Sequence, residues 1–280
     1  MRLASISVAG KATYGVVEGD VVRTAGADAL ARHPDLKSAL AAGPDRLAGL
    51  FSGEEIPLAQ VQFLPVIPNP DKILCIGINY ASHIAETGRP APPKPVVFMR
   101  CANSQVGAGQ PMVRPLDSEQ LDYEGELAVV IGRRGRRIAA GDAFAHVAGY
   151  ACYNDGSIRD FQRHSSQFGP GKNFPGTGAF GPWLVTTDEI PDPSTLTLVT
   201  RLNGNVVQQA PVSDLVFDVP ALVAYCSTFT VLEPGDVIVT GTTGGVGAFR
   251  EPPLWMKHGD IVEVEISGIG ILRNPVIAEG

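Results

Sequence analysis

Glu124 and Glu126 lie two positions apart in Tyr123-Glu-Gly-Glu-Leu-Ala-Val-Val-Ile-Gly132. In a strand, such residues project to the same face, so their carboxylates are expected side by side. The apolar run that follows implies a buried strand, where two adjacent like charges are costly unless a cation lies between them. Taken alone, Glu-x-Glu also suits a solvated strand edge. Asp155 shifts the balance, because it closes a second apolar run, Gly149-Tyr-Ala-Cys-Tyr-Asn-Asp, where a lone carboxylate equally needs a partner. Three carboxylates with no neighbouring Cys or His suit Mg²⁺ or Mn²⁺, with Ca²⁺ as a third option, and not zinc. Asp122 is left outside this set.

Asn79-Tyr80-Ala-Ser-His83-Ile-Ala-Glu86 places an imidazole and a carboxylate three residues apart. On a helix they share a face, and the carboxylate would orient the imidazole and raise its basicity, making a general base. A surface ion pair has the same spacing. Downstream of Asp155 come Arg159, Gln162 and, in a Gly/Pro-rich stretch, Lys172. These donors suit carboxylate and carbonyl oxygens of a substrate, against the plainer reading of surface charge. Val239-Thr-Gly-Thr242-Thr-Gly-Gly-Val-Gly247 is a Gly-rich turn after a strand that can present backbone N–H groups to an anion. It has neither the Gly-Lys-Ser/Thr of a phosphate loop nor Gly-x-Gly-x-x-Gly before a helix.

The elements that must hold these groups are mostly short strands. Val/Ile-rich runs are expected as strands near residues 72–78, 96–101, 124–132, 147–153, 196–202, 237–240 and 261–267, with Asn203-Gly204 as a hairpin turn. Asn79 is expected to cap a short helix over 80–87 that stops at Gly88. Residues 215–229 carry a helical apolar period, and residues 27–43 a modest helix interrupted at His33-Pro34. The connector 63–71 holds three prolines and places a boundary between a small N-terminal domain, 1–64, and the main domain, 65–280. The fold class is therefore α+β, mainly β, with a small N-terminal α/β domain.

A 280-residue chain that is 44% hydrophobic can bury a sizeable core. Its formal net charge of −7 argues against a nucleic-acid partner. No apolar run reaches the ~20 residues that span a bilayer, and the N-terminus lacks a signal-peptide core. The four cysteines are dispersed, without Cys-x-x-Cys, and read as reduced and mostly buried. A cytoplasmic location follows as the expectation.

In this order, Gly-x-Asn-Tyr-x-x-His-x-x-Glu, Tyr-Glu-x-Glu-Leu, Tyr-Asn-Asp-x-x-x-Arg-Asp, Gly-Lys, Gly-Pro-Trp and Thr-Gly-Thr resemble the fumarylacetoacetate hydrolase family, from about residue 71 to 275. The likeness is to its acylpyruvase or 2-hydroxyhepta-2,4-diene-1,7-dioate isomerase branch. It implies a mixed β-roll, usually homodimeric, with carboxylate-bound Mg²⁺ or Mn²⁺. Glu124, Glu126 and Asp155 then stand as ligands, His83, Glu86 and Lys172 as catalytic groups, with His83 and Glu86 on a mobile lid. Arg159, Gln162, Tyr80 and Thr242 stand as substrate-binding groups. The implied activity is hydrolysis of a C–C bond in a β-diketo acid or acylpyruvate, as in aromatic catabolism. Decarboxylation, isomerisation or hydration of a 2-oxo acid is the alternative on the same site, and a non-catalytic metal-binding protein is the alternative outside enzymes. Two stretches depart from the family pattern: Gly171-Lys-Asn-Phe-Pro-Gly-Thr-Gly178, and Gly241-Thr-Thr-Gly-Gly-Val-Gly247, which lacks a serine.

Overall fold

The computed structural model describes residues 1–88 and 90–280. Among the described residues the regular structure is mainly β, arranged as one twelve-stranded sheet, one five-stranded sheet and a two-stranded ribbon. The large sheet runs Glu55–Pro57, Val21–Thr24, Lys11–Glu18, Arg2–Val8, Gly178–Thr186, Val147–Asn154, Gly125–Ile131, Val237–Thr242, Ile73–Gly77 and Val96–Arg100, with Gln62–Phe63 added beside Arg2–Val8 and Gln105–Val106 beside Gly178–Thr186. Every residue of Gly125–Ile131 is buried, which explains its unbroken apolar run: a strand covered on both faces has no polar alternate. The five-stranded sheet shows the opposite pattern. Thr197–Leu202 and Ile261–Ile266 alternate between buried and partly exposed positions, one face in the core.

The expected hairpin at Asn203-Gly204 forms, with φ of 52° and 79° at the two turn residues. Positive φ at both is what a two-residue turn matching the strand twist requires. The break at His33-Pro34 is also present. Helices Ala27–Arg32 and Leu36–Ala41 flank it, and Asp35 caps the second through the Ser38 N–H at 2.7 Å.

Several expected elements shift. The short helix is Ala81–Thr87, and Asn79 does not cap it. The Asn79 side chain instead donates to the carbonyls of Phe217 and Thr240 and accepts the Phe217 N–H, tying three segments together beneath the helix. The second helix begins at Val219, where Asp218 accepts the Ala221 N–H and Pro220 occupies the first turn. Leu215 and Val216 precede it. Strands Gly178–Thr186 and Gly270–Ala278 were not among the expected strands. Pro182 is tolerated in the sheet because the register with Val147–Asn154 slips between Tyr150 and Cys152 there. Cys101 is exposed, while Cys75, Cys152 and Cys226 are buried thiols.

Residues 1–64 are joined to the rest through the sheet, where Leu3 pairs with Leu184. The proline-rich connector is not a free linker, since Val66 and Ile67 lie in the core. Among the described residues, no helix is long and apolar enough to cross a membrane.

Candidate active site

Strand pairing brings the three carboxylates together. Gly125 is registered with Asn154, and the Asp155 N–H donates to the Glu124 carbonyl at 2.8 Å, so Asp155 begins where its neighbouring strand presents Glu124. Glu126 lies two residues further along the same face. One oxygen from each of Glu124, Glu126 and Asp155 falls within 4.8 Å of the others, and all three side chains are buried. Gly125 between the glutamates is a packing requirement, because a Cβ there would meet Thr200 Oγ1 at 2.0 Å.

The cations around this cluster are also buried. Lys172, at the end of the short helix Gly169–Lys172, bridges Glu124 Oε2 and Asp155 Oδ2 at 2.6 Å each. Arg159 pairs with Asp122 at 2.8 Å and with Glu124 at 2.7 Å, and donates to Gln162 Oε1 at 2.9 Å. Arg100 pairs with the remaining oxygen of Asp155 at 2.6 Å. Burial alone would raise the Glu124 carboxyl, but Lys172 and Arg159 hold it down at about 2. Glu126 goes the other way: burial, Asp155 and Glu124 push it well above the usual carboxylate range, against Lys172 and the Gly241 N–H. Glu126 is thus the least compensated charge of the three. A divalent cation with oxygen preference is what this donor set fits.

The glycine-rich stretch 241–247 does present backbone N–H groups to anions, but the anions are the protein's own carboxylates. Gly241 N–H donates to Glu126 at 2.6 Å, Gly245 N–H to Glu86 at 2.7 Å, and Gly247 and Ala248 N–H to Asp122 at 2.8 and 2.9 Å. His83 Nδ1 lies 2.7 Å from Glu86 Oε1, and the Gly244 N–H donates to Ser82 at 3.1 Å. The short helix is therefore pinned onto this loop from one face.

A cavity of about 460 Å³ opens over the cluster, with His83, Glu124, Glu126, Arg159, Gln162 and Lys172 in its lining. Thr242 also lines it, with its hydroxyl held between Gln208 and the Gly125 carbonyl. Asp155 is reached through Lys172 and does not itself line the cavity. Tyr80 does not face it either. Its ring is fully buried in the core and its backbone bridges to Leu215. Arg100 and Gln208 were absent from the residues singled out in the sequence, and Asp122, set aside there as a ligand, is instead the partner of Arg159. A lone arginine closing the apolar strand Val96–Arg100 carries the same signal that drew attention to Asp155.

Residues 72–277 match the family described as Fumarylacetoacetate (FAA) hydrolase C-terminal, and residues 1–65 match one described as Rv2993c-like, N-terminal. The chain is 44% identical over 224 residues to the human protein named oxaloacetate tautomerase FAHD2A, mitochondrial, covering 79% of this chain and 71% of that one. It is similar to the structure of 5-carboxymethyl-2-hydroxymuconate delta-isomerase from Mycobacterium smegmatis, with a TM-score of 0.82, 34% identity and 100% of both chains covered. It is also similar to maleylpyruvate hydrolase from Sphingobium, with a TM-score of 0.80, 30% identity and 100% of both chains covered. The chain belongs to the fumarylacetoacetate hydrolase family.

Proposed function

We propose that this chain is a divalent-metal-dependent enzyme that moves a proton on an enolisable small 2-oxo acid, interconverting its keto and enol forms. The observation that carries the reading is the His83–Glu86 pair at 2.7 Å beside a cavity floored by buried carboxylates. Similarity to proteins named tautomerase and isomerase supports it. Glu124, Glu126 and Asp155 would hold Mg²⁺ or Mn²⁺, with Ca²⁺ fitting the same oxygens, and the ion would polarise the 2-oxo group as a Lewis acid.

The chain's own groups supply the rest. Glu86 fixes the Nδ1 side of His83, leaving Nε2 as the basic nitrogen. His83 would take a proton from C3 as the C2–C3 double bond forms, and return it at the 2-oxygen. Gln162 keeps its amide N–H₂ for a substrate oxygen, because its Oε1 already accepts from Arg159. Arg159 and Lys172 would stabilise charge developing on the substrate while remaining paired to Glu124.

Hydrolysis of a C–C bond in a β-diketo acid is the second reading, favoured by the same imidazole–carboxylate pair. An oriented His83 can deprotonate water as readily as carbon, and the likeness to a maleylpyruvate hydrolase supports this use. The reading extends to a homodimer in the cytoplasm with residues 1–64 as an appended unit, for which sedimentation and limited proteolysis are the checks.

Solvent deuterium exchange at C3 of a 2-oxo acid, followed by NMR, tests the main reading. Exchange should vanish with chelator and return with Mg²⁺ or Mn²⁺. Exchange indifferent to chelation, or full exchange by Glu126→Ala, would remove the assignment.

A further inference from the structure

Gln208 belongs to the five-stranded sheet, on strand Asn205–Pro211, yet its buried side chain ends between two strands of the large sheet. Those strands, Gly125–Ile131 and Val237–Thr242, pair antiparallel as far as Glu126 and Thr242, with a slip between Glu126 and Ala128. In the register of that last pair, Gly125 and Thr243 would form the next rung. The Gln208 amide bridges them instead. Its Oε1 accepts the Gly125 N–H at 2.9 Å, and its Nε2 donates to the Thr243 carbonyl at 3.0 Å. The orientation of the amide is unambiguous, because a backbone N–H can only donate and a carbonyl can only accept.

Nε2 also donates to the Thr242 hydroxyl at 2.8 Å, and that hydroxyl donates to the Gly125 carbonyl at 3.1 Å. The ring of hydrogen bonds therefore closes on Gly125, whose two neighbours in the chain are Glu124 and Glu126. The one hydroxyl proton of Thr242 is engaged here, so Thr242 has none to donate to a substrate. Thr200, paired with Gln208 across their own sheet, places its Oγ1 against the same glycine. Glu126 is held by the Gly241 N–H, so its place depends on how the loop 241–247 meets its own strand.

We propose that Gln208 is a positioning residue for the metal site: its amide, standing in for a strand rung, holds Glu124 and Glu126 at ligand spacing against the glycine-rich loop. This inference rests on Glu124, Glu126 and Asp155 as the ligands, and not on the reaction that follows.

Calorimetric Mn²⁺ binding tests it without turnover. Gln208→Met keeps much of the length and removes both hydrogen-bonding ends. Its Kd for Mn²⁺ should rise on the order of 10- to 100-fold, the usual effect of losing a partner that orients a ligand. Gln208→Asn keeps the amide but retracts it by one carbon, and should weaken the ion as well. Val262→Ala truncates a buried side chain in the same sheet, away from Gly125, and lowers stability by a cavity. It should keep the wild-type Kd. Wild-type affinity in Gln208→Met overturns the proposal, as does an equal loss of affinity in Val262→Ala. If Gln208→Met does not fold, Gln208→Asn decides by the same criterion. Wild type that binds no Mn²⁺ overturns the ligand assignment and the role of Gln208 with it. Mn²⁺ binding without C3 exchange overturns the proposed reaction alone, and the Kd values still decide Gln208.

Discussion

His83 Nδ1 and Glu86 Oε1 lie 2.7 Å apart, and the second oxygen of Glu86 accepts the Gly245 N–H at the same distance. The imidazole is thus oriented by a carboxylate that is itself held by backbone. That backbone belongs to the loop whose Gly241 N–H holds Glu126 and whose Gly247 N–H holds Asp122. Base, carboxylate cluster and the Arg159 anchor are aligned by one glycine-rich segment.

If Glu86 acts only through His83, the two must behave as a unit. His83→Ala should lower kcat by on the order of 10²–10⁴-fold, and Glu86→Gln by on the order of 10-fold or more. The double variant should be no slower than His83→Ala alone, since residues that act together are not additive. A double variant slower by the product of the two single losses would separate their roles.

Gly245 has φ of +100°, and a Cβ there would meet the Val207 carbonyl oxygen at 2.3 Å. The obstacle is backbone and cannot swing away. Gly245→Ala should destabilise the fold by about 1–3 kcal/mol and loosen Glu86, lowering kcat more than it alters KM. Urea unfolding and steady-state kinetics on the same preparation check both effects. Wild-type kcat in a folded Gly245→Ala protein would dissociate the loop from the base.

Much of this site was legible because strand alternation and burial are local rules. Glu124 and Glu126 share a face by parity, and a carboxylate ending an apolar run, as Asp155 does, has to be compensated. The compensation itself was not legible. Lys172 is separated from Glu124 by 48 residues and Arg100 from Asp155 by 55, and no local pattern gives those distances. Gly178–Thr186 was missed because Pro182 obeys its strand only through a register slip with a neighbour. Asn79 was misplaced as a cap because its partners, Phe217 and Thr240, are remote in sequence. Tyr80 followed the motif it belongs to, while its ring is turned into the core.

Far from the site, Asp35 should contribute stability with a defined pH sign. Partial burial would raise its carboxyl, but hydrogen bonds from Ser38 and Asn69 and the charge of Lys37 leave it below the ordinary 3.8. The unfolded chain therefore binds this proton more readily, so the contribution is complete above pH 3.8 and fades as pH falls through the folded value. Asp35→Ala should cost about 1 kcal/mol near neutrality, with kcat/KM unchanged. The gap between wild type and variant should narrow in melts carried below pH 3.8. A gap that widens in acid would contradict the sign.

Lys172 joins stability to chemistry. Its ammonium is buried, 2.6 Å from both Glu124 and Asp155, and lies 5.0 Å from the centroid of the Phe98 ring. Burial alone would favour the neutral amine, but Asp155 and Glu124 raise its pKa above the ordinary value, keeping it charged. Lys172→Met retains much of the length and the contact with Phe98 while removing the charge. Without a divalent ion, two buried carboxylates then lose a shared cation, and Arg159 and Arg100 each still hold one of them. The expected cost is about 3 kcal/mol, the low end for breaking a buried pair. A bound divalent ion restores positive charge to the same carboxylates, so saturating Mg²⁺ should recover most of that loss. Turnover should nevertheless stay low, because the ion does not replace a donor facing the substrate. Denaturant titrations of both proteins with chelator and with Mg²⁺, alongside C3 exchange rates, give all three quantities. Equal destabilisation with and without the ion would mean that Lys172 serves packing on Phe98 and not the charge of the cluster.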